Sequence, residues 1–354
     1  MTDPQKAADR RLFPRRLDFS RGVVDMNHGA GGKAMAQLVR EMFVERFANA
    51  FLDQGNDQAL LTPPAGRLAV STDGFVVSPL FFPGGDIGSL AVHGTVNDVA
   101  MSGATPLYLT AAFIIEEGFP LADLLRIADS MAAAAKEAGV SVVTGDTKVV
   151  ERGKGDGVFI ATTGIGVVPP GVDPSGDKAR PGDAVLVSGT MGDHGVAIMS
   201  AREGLSFETD LLSDSAALNG MVADIVAAAP GVHVLRDPTR GGLSATLNEI
   251  AWQSGVGIRL RENDIPVKPE VAAACELLGL DPLNVANEGK LIAICAAEDA
   301  GAVLAALRAH PLGADAAIIG EVVEDPHHFV QLETSFGGRR IVDWLSGEQL
   351  PRIC

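Results

Sequence analysis

Five aspartates beside small residues carry the clearest chemistry in this sequence. They are Asp57 in GNDQALL, Asp73 in STDG, Asp98 in GTVNDVAMSGATP, Asp146 in TGDTKVV and Asp237 in RDPTRGGL. Most of them stand where a short apolar run, predicted to be a strand, ends. Carboxylates are hard oxygen ligands of the kind that Mg²⁺ prefers, and adjacent glycines let backbone N–H groups approach a polyphosphate. One Asp-Gly pair usually marks only a turn, so the interpretation depends on all five converging, which spacing alone does not establish.

The last residue of the chain is a cysteine, Cys354, and it follows Leu350, Pro351, Arg352 and Ile353. A prenylation motif is excluded, because that motif needs three residues after the cysteine. Chain ends are usually exposed and mobile, so the thiol is expected to be accessible rather than buried. A thiolate is a good nucleophile and can carry an acyl group covalently. From the tail alone, an accident of composition explains the cysteine equally well.

Lys148 and Glu288 are two further ionisable side chains next to predicted strand ends. Lys148 lies in TGDTKVV, and Glu288 lies in NVANEGKL just before an apolar run. In most proteins such side chains are simply solvated. His28, His93 and His194 stand near glycines without any paired ligand spacing, so they predict no metal site.

The segment HGAGGK at 28–33 resembles two phosphate-binding motifs but satisfies neither. A P-loop would need a glycine in place of Asn27 and Ser or Thr in place of Ala34. A dinucleotide fingerprint would need a preceding strand, which the sequence does not indicate. We interpret the segment as a flexible glycine loop that closes over a nucleotide or over the tail.

Composition restricts the class of protein. The 354 residues predict about two domains, and a net charge of -17 makes nucleic acid a poor partner. The three cysteines, Cys275, Cys295 and Cys354, form no disulfide framework and no zinc spacing, which favours a reducing, cytoplasmic setting. Cys275 and Cys295 lie in apolar runs and are interpreted as core residues. No stretch is apolar enough for a membrane span, and the arginine-rich leader lacks the apolar region of a secretory signal.

Hydrophobic periodicity predicts interleaved helices and strands, hence an α/β or α+β fold. Helices are predicted over 33–51, 121–139, 214–231 and 300–313. Strands are predicted over 67–77, 140–146, 157–168, 183–189 and 290–296. The Pro/Gly-rich stretch at 168–183 is the best candidate for a domain boundary.

Together these motifs resemble the HypE family, hydrogenase maturation factors that act as carbamoyl dehydratases and make the cyanide ligands of [NiFe]-hydrogenase. The resemblance runs from about residue 25 to the end and rests on HGAGGKAM, STDGFVVSPLFFPGGDIG, GTVNDVAMSGATP, TGDTKVVERG, VSGTMGDHG, DPTRGGL, NVANEGKL and the terminal PRIC. The terminal cysteine is the most specific of these. The aspartate-glycine segments alone would indicate only the wider aminoimidazole ribonucleotide synthetase superfamily, which includes selenophosphate synthetase and thiamine-monophosphate kinase.

The resemblance implies a two-domain aminoimidazole ribonucleotide synthetase-like fold of the α/β (α+β) class. Residues 25–168 would form an N-terminal ATP-binding domain that makes a homodimer through a shared β-barrel. Residues 169–343 would form a C-terminal α/β domain, and 344–354 a mobile tail that carries Cys354. Residues 1–24 lie outside the resemblance and are expected to be a disordered leader.

The resemblance also implies roles for matching residues. Mg²⁺ would be held against the phosphates of ATP by Asp57, Asp73, Asp98 and Asp237. The nucleotide would be contacted by these aspartates and by Asn97, Gly145, Asp146 and Thr147. Lys148 and Glu288 would lie near the cysteine when the tail enters the site.

The implied reaction gives the terminal cysteine a purpose. Cys354 would receive a carbamoyl group from the carbamoyltransferase HypF, and ATP would activate its oxygen for loss as phosphate. Glu288 would serve as base, Lys148 would relay or stabilise charge, and the HypC–HypD complex would accept the cyanide. The ten residues 345–354 can span roughly 30 Å, enough for a swinging tail. Two alternatives remain open: another ATP-dependent synthetase or phosphotransferase of the superfamily, and a non-catalytic ATP-binding carrier.

Overall fold

The structure is a computed structural model that describes residues 13–56, 58–204, 211–344, 347 and 351–354. The strands are β1 Arg67–Phe75, β2 Phe81–Phe82, β3 Gly85–Asp86, β4 Thr105–Glu116, β5 Ser141–Val150, β6 Val158–Val168, β7 Ala184–Val187, β8 Val234–Arg236, β9 Gly257–Arg261, β10 Ile292–Cys295, β11 Ala317–Val323, β12 Val330–Glu333 and β13 Arg339–Ile341. The α-helices are α1 Lys33–Leu38, α2 Glu45–Phe47, α3 Ile87–Met101, α4 Leu121–Ala138, α5 Asp193–Glu203, α6 Asn219–Ala228, α7 Gly242–Ser254, α8 Pro269–Leu278 and α9 Ala300–Ala309. A π-helical segment, Val39–Val44, joins α1 to α2.

The first half of the chain is built on a four-stranded sheet in the order β1-β6-β4-β5. Helix α3 packs closely on one face, because glycines in β6 leave room for it. A Cβ at Gly164 would lie 2.8 Å from the Val99 side chain, and one at Gly166 would lie 2.6 Å from it. Helix α4 packs against α3, and their apolar side chains form the core of this half. The opposite face bears exposed apolar side chains, among them Val70 and Ile114.

The strand register of this sheet decides which side chains share a face. Asp73 pairs with Thr162, which pairs with Ala111, which in turn pairs with Gly145. Paired residues point to the same face, and the Thr162 hydroxyl donates to a carbonyl of α3, so Asp73 lies on the helix-covered face. Lys148 is three positions beyond Gly145, and alternation therefore places it on the open face.

The second half contains a mixed seven-stranded sheet in the order β13-β12-β9-β11-β7-β10-β8. Strands β9 and β12 run parallel, whereas the other paired strands are antiparallel. Helix α7 and its neighbours bury one apolar cluster on this sheet, and α6 and α9 bury another. In the described ranges, no helix is long and apolar enough to cross a membrane.

The predicted fold class is confirmed, and so is each predicted helix and strand, although the ends differ. The helix predicted over 121–139 is α4, and Gly139 ends it in the left-handed conformation. The helix predicted over 33–51 is shorter and contains the π-helical segment. Helix α3 was not predicted, because almost all of its residues are buried and it has no polar face to create a helical period.

Candidate active site

The C-terminal tail is docked in the structure. The Val76 N–H donates to the Cys354 carbonyl at 2.9 Å, and the Ser78 N–H donates to the Arg352 carbonyl at 3.1 Å, so the tail pairs antiparallel with this segment. The Ile353 side chain is buried in the core of the first half. The expectation that the chain end is exposed is therefore wrong for this conformation, because one apolar side chain and a row of backbone hydrogen bonds hold it in place.

Docking places the Cys354 thiol in acidic surroundings. The cysteine is half-buried and free. Burial raises the pKa of its thiol far above the ordinary value, and the negative charges of Glu288 and Asp73 raise it further, while Arg240 opposes them. In the docked, ligand-free tail the thiol is consequently protonated and a weak nucleophile.

Glu288 is the buried acid next to this thiol. Its side chain is 3% exposed, and its Oε1 atom has no hydrogen-bond partner. Burial raises the pKa of Glu288 well above its ordinary value, and the neighbouring carboxylates of Asp237, Asp214, Asp73 and Asp98 raise it further. Its ionised form is therefore a stronger base than an exposed glutamate and can take a proton from a weakly acidic N–H.

Asp73, Asp98 and Asp237 come from three separate elements and lie close enough to influence each other's charge. Burial raises the pKa of Asp237 to about 7, and the charge of Asp98 contributes. Burial also raises the pKa of Asp98, although its Oδ2 accepts a hydrogen bond from Ser71 at 2.7 Å. Asp237 follows β8, as expected for a strand end. Asp98 lies within helix α3, Asp73 within β1 and Asp146 within β5, so the expectation of strand ends is wrong for these three.

The acidic cluster carries more negative charge than the protein itself compensates. Asp73, Asp98, Asp237 and Glu288 are hard oxygen donors; burial raises the pKa values of Asp237 and Glu288, and the neighbouring carboxylates, whose repulsion a cation would relieve, raise them further. Among the described residues, no three such groups already converge as tightly as metal ligands would. Asp57, the fourth predicted ligand, lies outside the described residues. The donor set therefore fits Mg²⁺ in type and charge.

Asn97 is buried, and its side chain is engaged with the protein. Its amide nitrogen donates to the carbonyls of Ala216 and Glu288, at 3.0 and 3.3 Å, and its oxygen accepts from the Leu218 N–H at 2.7 Å. These bonds tie the segment after α5 to the backbone of the catalytic candidate Glu288. In this conformation Asn97 positions the site, a role other than the nucleotide contact predicted from the sequence.

Gly145, Asp146 and Thr147 line a cavity of about 480 Å³ at the β5 edge of the first sheet. Apolar side chains that follow the glycine loop, including Val39, Phe43 and Phe47, form its other wall. The cavity has the size and the mixed lining of a small-molecule site. TGD, expected to be a turn, lies within strand β5, and the structure brings it together with the helical segment that follows HGAGGK.

Lys148 is the predicted site residue that the structure does not bring to the cysteine. Its Nζ bonds Asp146 at 2.5 Å, and this bond lowers the pKa of that aspartate. Strands β1 and β5 are the two edges of the sheet, so Gly145 lies roughly 14 Å from Asp73, three strand spacings away. Lys148 also points from the opposite face of the sheet. Within one chain it does not reach the thiol.

Two side chains that hold the tail, His194 and Arg202, were not predicted. His194 had been considered only as a metal ligand, and Arg202 had no signal at all. Both lie on α5 and contact residues about 150 positions later in the chain. A single sequence carries no pattern for such contacts.

Comparison with known proteins places this site in a family. Residues 55–168 match the family model "AIR synthase related protein, N-terminal domain", and residues 180–333 match the corresponding C-terminal domain. The chain is 67% identical over 346 residues to "Carbamoyl dehydratase HypE" of Rhizobium leguminosarum bv. viciae, covering 97% of this chain and 99% of that protein. The chain belongs to the HypE family.

Solved HypE structures share the whole fold. A crystal structure of HypE in complex with ATP matches with a TM-score of 0.91 and 53% identity, covering 93% of this chain and 99% of that one. A HypE chain in a HypE–HypF complex matches with a TM-score of 0.77 and 52% identity, covering 87% of this chain and 99% of that one. The resemblance inferred from the terminal PRIC and the aspartate motifs is thereby confirmed.

Proposed function

We propose that this HypE-family chain is an ATP-dependent carbamoyl dehydratase that converts an S-carboxamide on Cys354 to an S-cyanate. The observation that carries the proposal is the docked tail, which places the Cys354 thiol beside Glu288 and the acidic cluster. A relative in complex with ATP and another in complex with HypF support the same reaction. A carrier without catalysis would have no use for a buried base at this position.

The reaction begins after a carbamoyl donor has formed Cys354-S-C(O)NH₂. Direct dehydration is difficult, because oxide is a poor leaving group. Transfer of the γ-phosphoryl group of ATP to the carboxamide oxygen gives Cys354-S-C(=NH)-O-phosphate and ADP, and one N–H proton leaves. The C–O bond then breaks, the second N–H proton leaves, and the products are Cys354-S-C≡N and phosphate.

Glu288 is the base that we assign to the nitrogen protons. Its Oε1 has no partner to compete with the substrate, and its raised pKa makes its carboxylate a stronger base than an exposed glutamate. The thiol and Glu288 are near enough for the charge of one to shift the pKa of the other. Arg240, whose positive charge acts on the same thiol, is suited to face the phosphate that develops there.

We further propose that Asp73, Asp98 and Asp237, with Asp57, hold Mg²⁺, which would neutralise the charge of the transferring phosphoryl group. The cavity beside Gly145–Thr147 is a nucleotide pocket in this proposal. That pocket and the acidic cluster lie at opposite edges of one sheet. A homodimer that joins two such sheets would complete each site with the β5 edge, and Lys148, of a second copy.

The proposed partners follow from the reaction. HypF would load the carbamoyl group, and the HypC–HypD complex would accept the cyanide. A free terminal thiol that must stay reduced between these encounters favours a cytoplasmic location.

Intact-protein mass spectrometry with peptide mapping tests the proposal. The chain is incubated with HypF, carbamoyl phosphate and Mg²⁺-ATP, and samples are taken over time. We expect a carbamoyl adduct on Cys354 that appears first and is then replaced by a cyano adduct. An adduct that never dehydrates would favour the carrier alternative. The absence of any adduct on Cys354 would return the chain to the wider ATP-dependent superfamily.

A further inference from the structure

The Arg202 side chain donates hydrogen bonds to backbone carbonyls of the docked tail. Its Nη1 donates to the Pro351 carbonyl at 2.8 Å, and its Nη2 donates to the Arg352 carbonyl at 2.9 Å. The same guanidinium also donates from Nε and Nη2 to the Ser78 carbonyl, at 3.0 and 2.7 Å. Ser78 belongs to the body of the protein, so its carbonyl orients the planar guanidinium whether or not the tail is present.

His194, eight residues earlier on the same helix, holds the next tail carbonyl. Its Nε2 lies 2.8 Å from the Ile353 oxygen and must donate, because a carbonyl only accepts. Its Nδ1 then accepts from the Ser213 hydroxyl at 2.8 Å. Helix α5 thus holds three successive tail carbonyls, at 351, 352 and 353.

The side-chain contacts of Arg352 contribute little to the stability of the docked tail. Arg352 has a φ of 55°, in the left-handed region, which costs about 1–2 kcal/mol for a residue other than glycine. Its guanidinium pairs with Asp156, whose side chain is 58% exposed. Exposed ion pairs usually contribute between about 0 and 1 kcal/mol. The backbone hydrogen bonds and the buried Ile353 therefore determine whether the tail stays docked.

We propose that Arg202 is a positioning residue. Its hydrogen bonds hold the C-terminal tail in the docked position and so set the balance between loading and dehydration of Cys354. The inference rests on the proposed function, in which the cysteine is loaded outside the site and dehydrated inside it. Weaker hydrogen bonds between Arg202 and the tail would favour loading at the expense of dehydration. Apart from a 3.6 Å contact between its Nη1 and the Met199 sulfur, Arg202 donates to the tail and body carbonyls given above, and we assign it no part in the chemistry.

The rate of thiol labelling measures how often the tail leaves its docked position, and the measurement needs no enzymatic activity. Cys275 and Cys295 are buried in the apolar core, whereas Cys354 lies on the tail and becomes accessible whenever the tail undocks, so iodoacetamide labelling of the folded protein reports on Cys354. Loss of charge-assisted hydrogen bonds in Arg202→Gln is expected to raise the Cys354 labelling rate about tenfold or more. Glu203→Gln, an exposed neighbour on the same helix, is the matched control and should label at the wild-type rate.

A second variant controls for the case in which Arg202→Gln raises labelling only because it misfolds. Ile353→Ala changes only the tail, and by removing its buried anchor it should raise Cys354 labelling as Arg202→Gln does. Thermal unfolding of both variants should stay close to that of the unmodified chain. If Cys354 in Arg202→Gln is labelled at the wild-type rate, Arg202 does not hold the tail and the proposal is wrong.

Separate measurements of loading and of dehydration distinguish failure of the proposed role of Arg202 from failure of the proposed function. In Arg202→Gln we expect faster carbamoyl loading by HypF and slower single-turnover dehydration with Mg²⁺-ATP, with partial rescue by Arg202→Lys. Faster labelling with both half-reactions unchanged would show that Arg202 holds the tail but does not control the reaction, which overturns the inference. Faster labelling with no dehydration, even in the unmodified chain, would instead overturn the proposed function and leave the tail contact of Arg202 intact.

Discussion

At the residue scale, the chemistry of the site depends on carboxyl groups whose pKa values are raised by burial and by one another. Glu288 and Asp237 are the two strongest cases. Burial disfavours their charged forms and their mutual repulsion adds to this effect, and a bound cation would offset both. The same repulsion should make these residues a cost to the stability of the fold.

Asp237→Asn tests that cost. The pKa of Asp237 rises from 3.8 to about 7 on folding, so its contribution to stability is present below about pH 4 and is lost as pH rises through 7. We expect Asp237→Asn to increase the free energy of unfolding at pH 8 by about 1–3 kcal/mol and to flatten its pH dependence. Urea unfolding of ligand-free protein at pH 5 and pH 8 measures both effects. The exposed Asp315→Asn is the control, and a less stable Asp237→Asn at pH 8 would refute the account.

Glu288→Gln tests the assigned base. The substitution keeps the size of the side chain but removes the ability to accept a proton, so single-turnover dehydration should slow by about 10²–10⁴-fold. Carbamoylation of Cys354 by HypF, which does not need this base, should continue at the normal rate. Rapid-quench measurement of phosphate release from the pre-loaded protein gives the rate. Dehydration within a few-fold of normal would exclude Glu288 as the base.

The residues that were predicted from the sequence are those whose motifs carry their own chemistry. Cys354 was identifiable by its place at the chain end, and Asp237 and Glu288 by their motifs. The separation of Lys148 from the cysteine was not predictable, because it depends on strand order and on which face each residue occupies. Arg202 was not predictable, since its partners lie about 150 residues away and are backbone carbonyls that any sequence would supply.

At the element scale, the cavity that we propose as the nucleotide pocket depends on the close approach of β5 to β4. A Cβ at Gly145 would lie 2.3 Å from the Ala111 carbonyl oxygen, which is a backbone atom that cannot give way easily. This contact occurs just after a register shift in the pairing of the two strands. Gly145 is thus required by packing as well as by any contact with a nucleotide.

Gly145→Ala should therefore displace β5 and weaken ATP binding. We expect a loss of about 1–3 kcal/mol in the free energy of unfolding, as for other overpacked sites, together with a higher Kd for ATP. Gly74→Ala, on β1 of the same sheet, is the control, because nothing lies within 4 Å of its Cβ position. Calorimetric titration with ATP and urea unfolding provide the two readouts. Equal stability of the two variants would show that the sheet tolerates the added methyl group.

The elements that sequence analysis missed or misplaced share a physical cause. Helix α3 is surrounded by the sheet, by α4 and by the second half of the chain, so its sequence lacks a polar stripe. Asp98 was therefore assigned to a strand end although it lies on that helix. The amphipathic α4, by contrast, was predicted almost to the residue.

At the scale of the whole molecule, the residues that we propose for one site are divided between two edges of the first sheet. Asp73 and the cysteine are at the β1 edge, whereas Asp146 and Lys148 are at the β5 edge on the other face. That open face also carries exposed apolar side chains such as Val70 and Ile114. A second copy covering this face would bury them and could supply Lys148 in trans.

Subunit complementation tests the shared site. Cys354→Ala cannot carry the carbamoyl group, and Lys148→Ala lacks the cation, so each homodimer should be inactive or severely impaired. In a heterodimer isolated from co-expressed or remixed chains, the single loaded cysteine should be dehydrated at close to the normal rate, which is about half of the normal yield per dimer because one of the two sites is complete. Size-exclusion chromatography with light scattering establishes the oligomeric state of every sample. Activity absent from a verified heterodimer would place Lys148 and Cys354 in the same chain's site.

The most direct test of the central claim follows the tail-bound carbon itself. The chain is loaded on Cys354 by HypF with ¹³C-labelled carbamoyl phosphate, separated from HypF, and given one equivalent of Mg²⁺-ATP while its ¹³C NMR spectrum is recorded. We predict that the thiocarboxamide resonance is replaced by a thiocyanate resonance still attached to the protein, with one phosphate released per carbon converted. A thiocarboxamide signal that persists while ATP is hydrolysed, or a label that leaves the protein without passing through thiocyanate, would contradict the account.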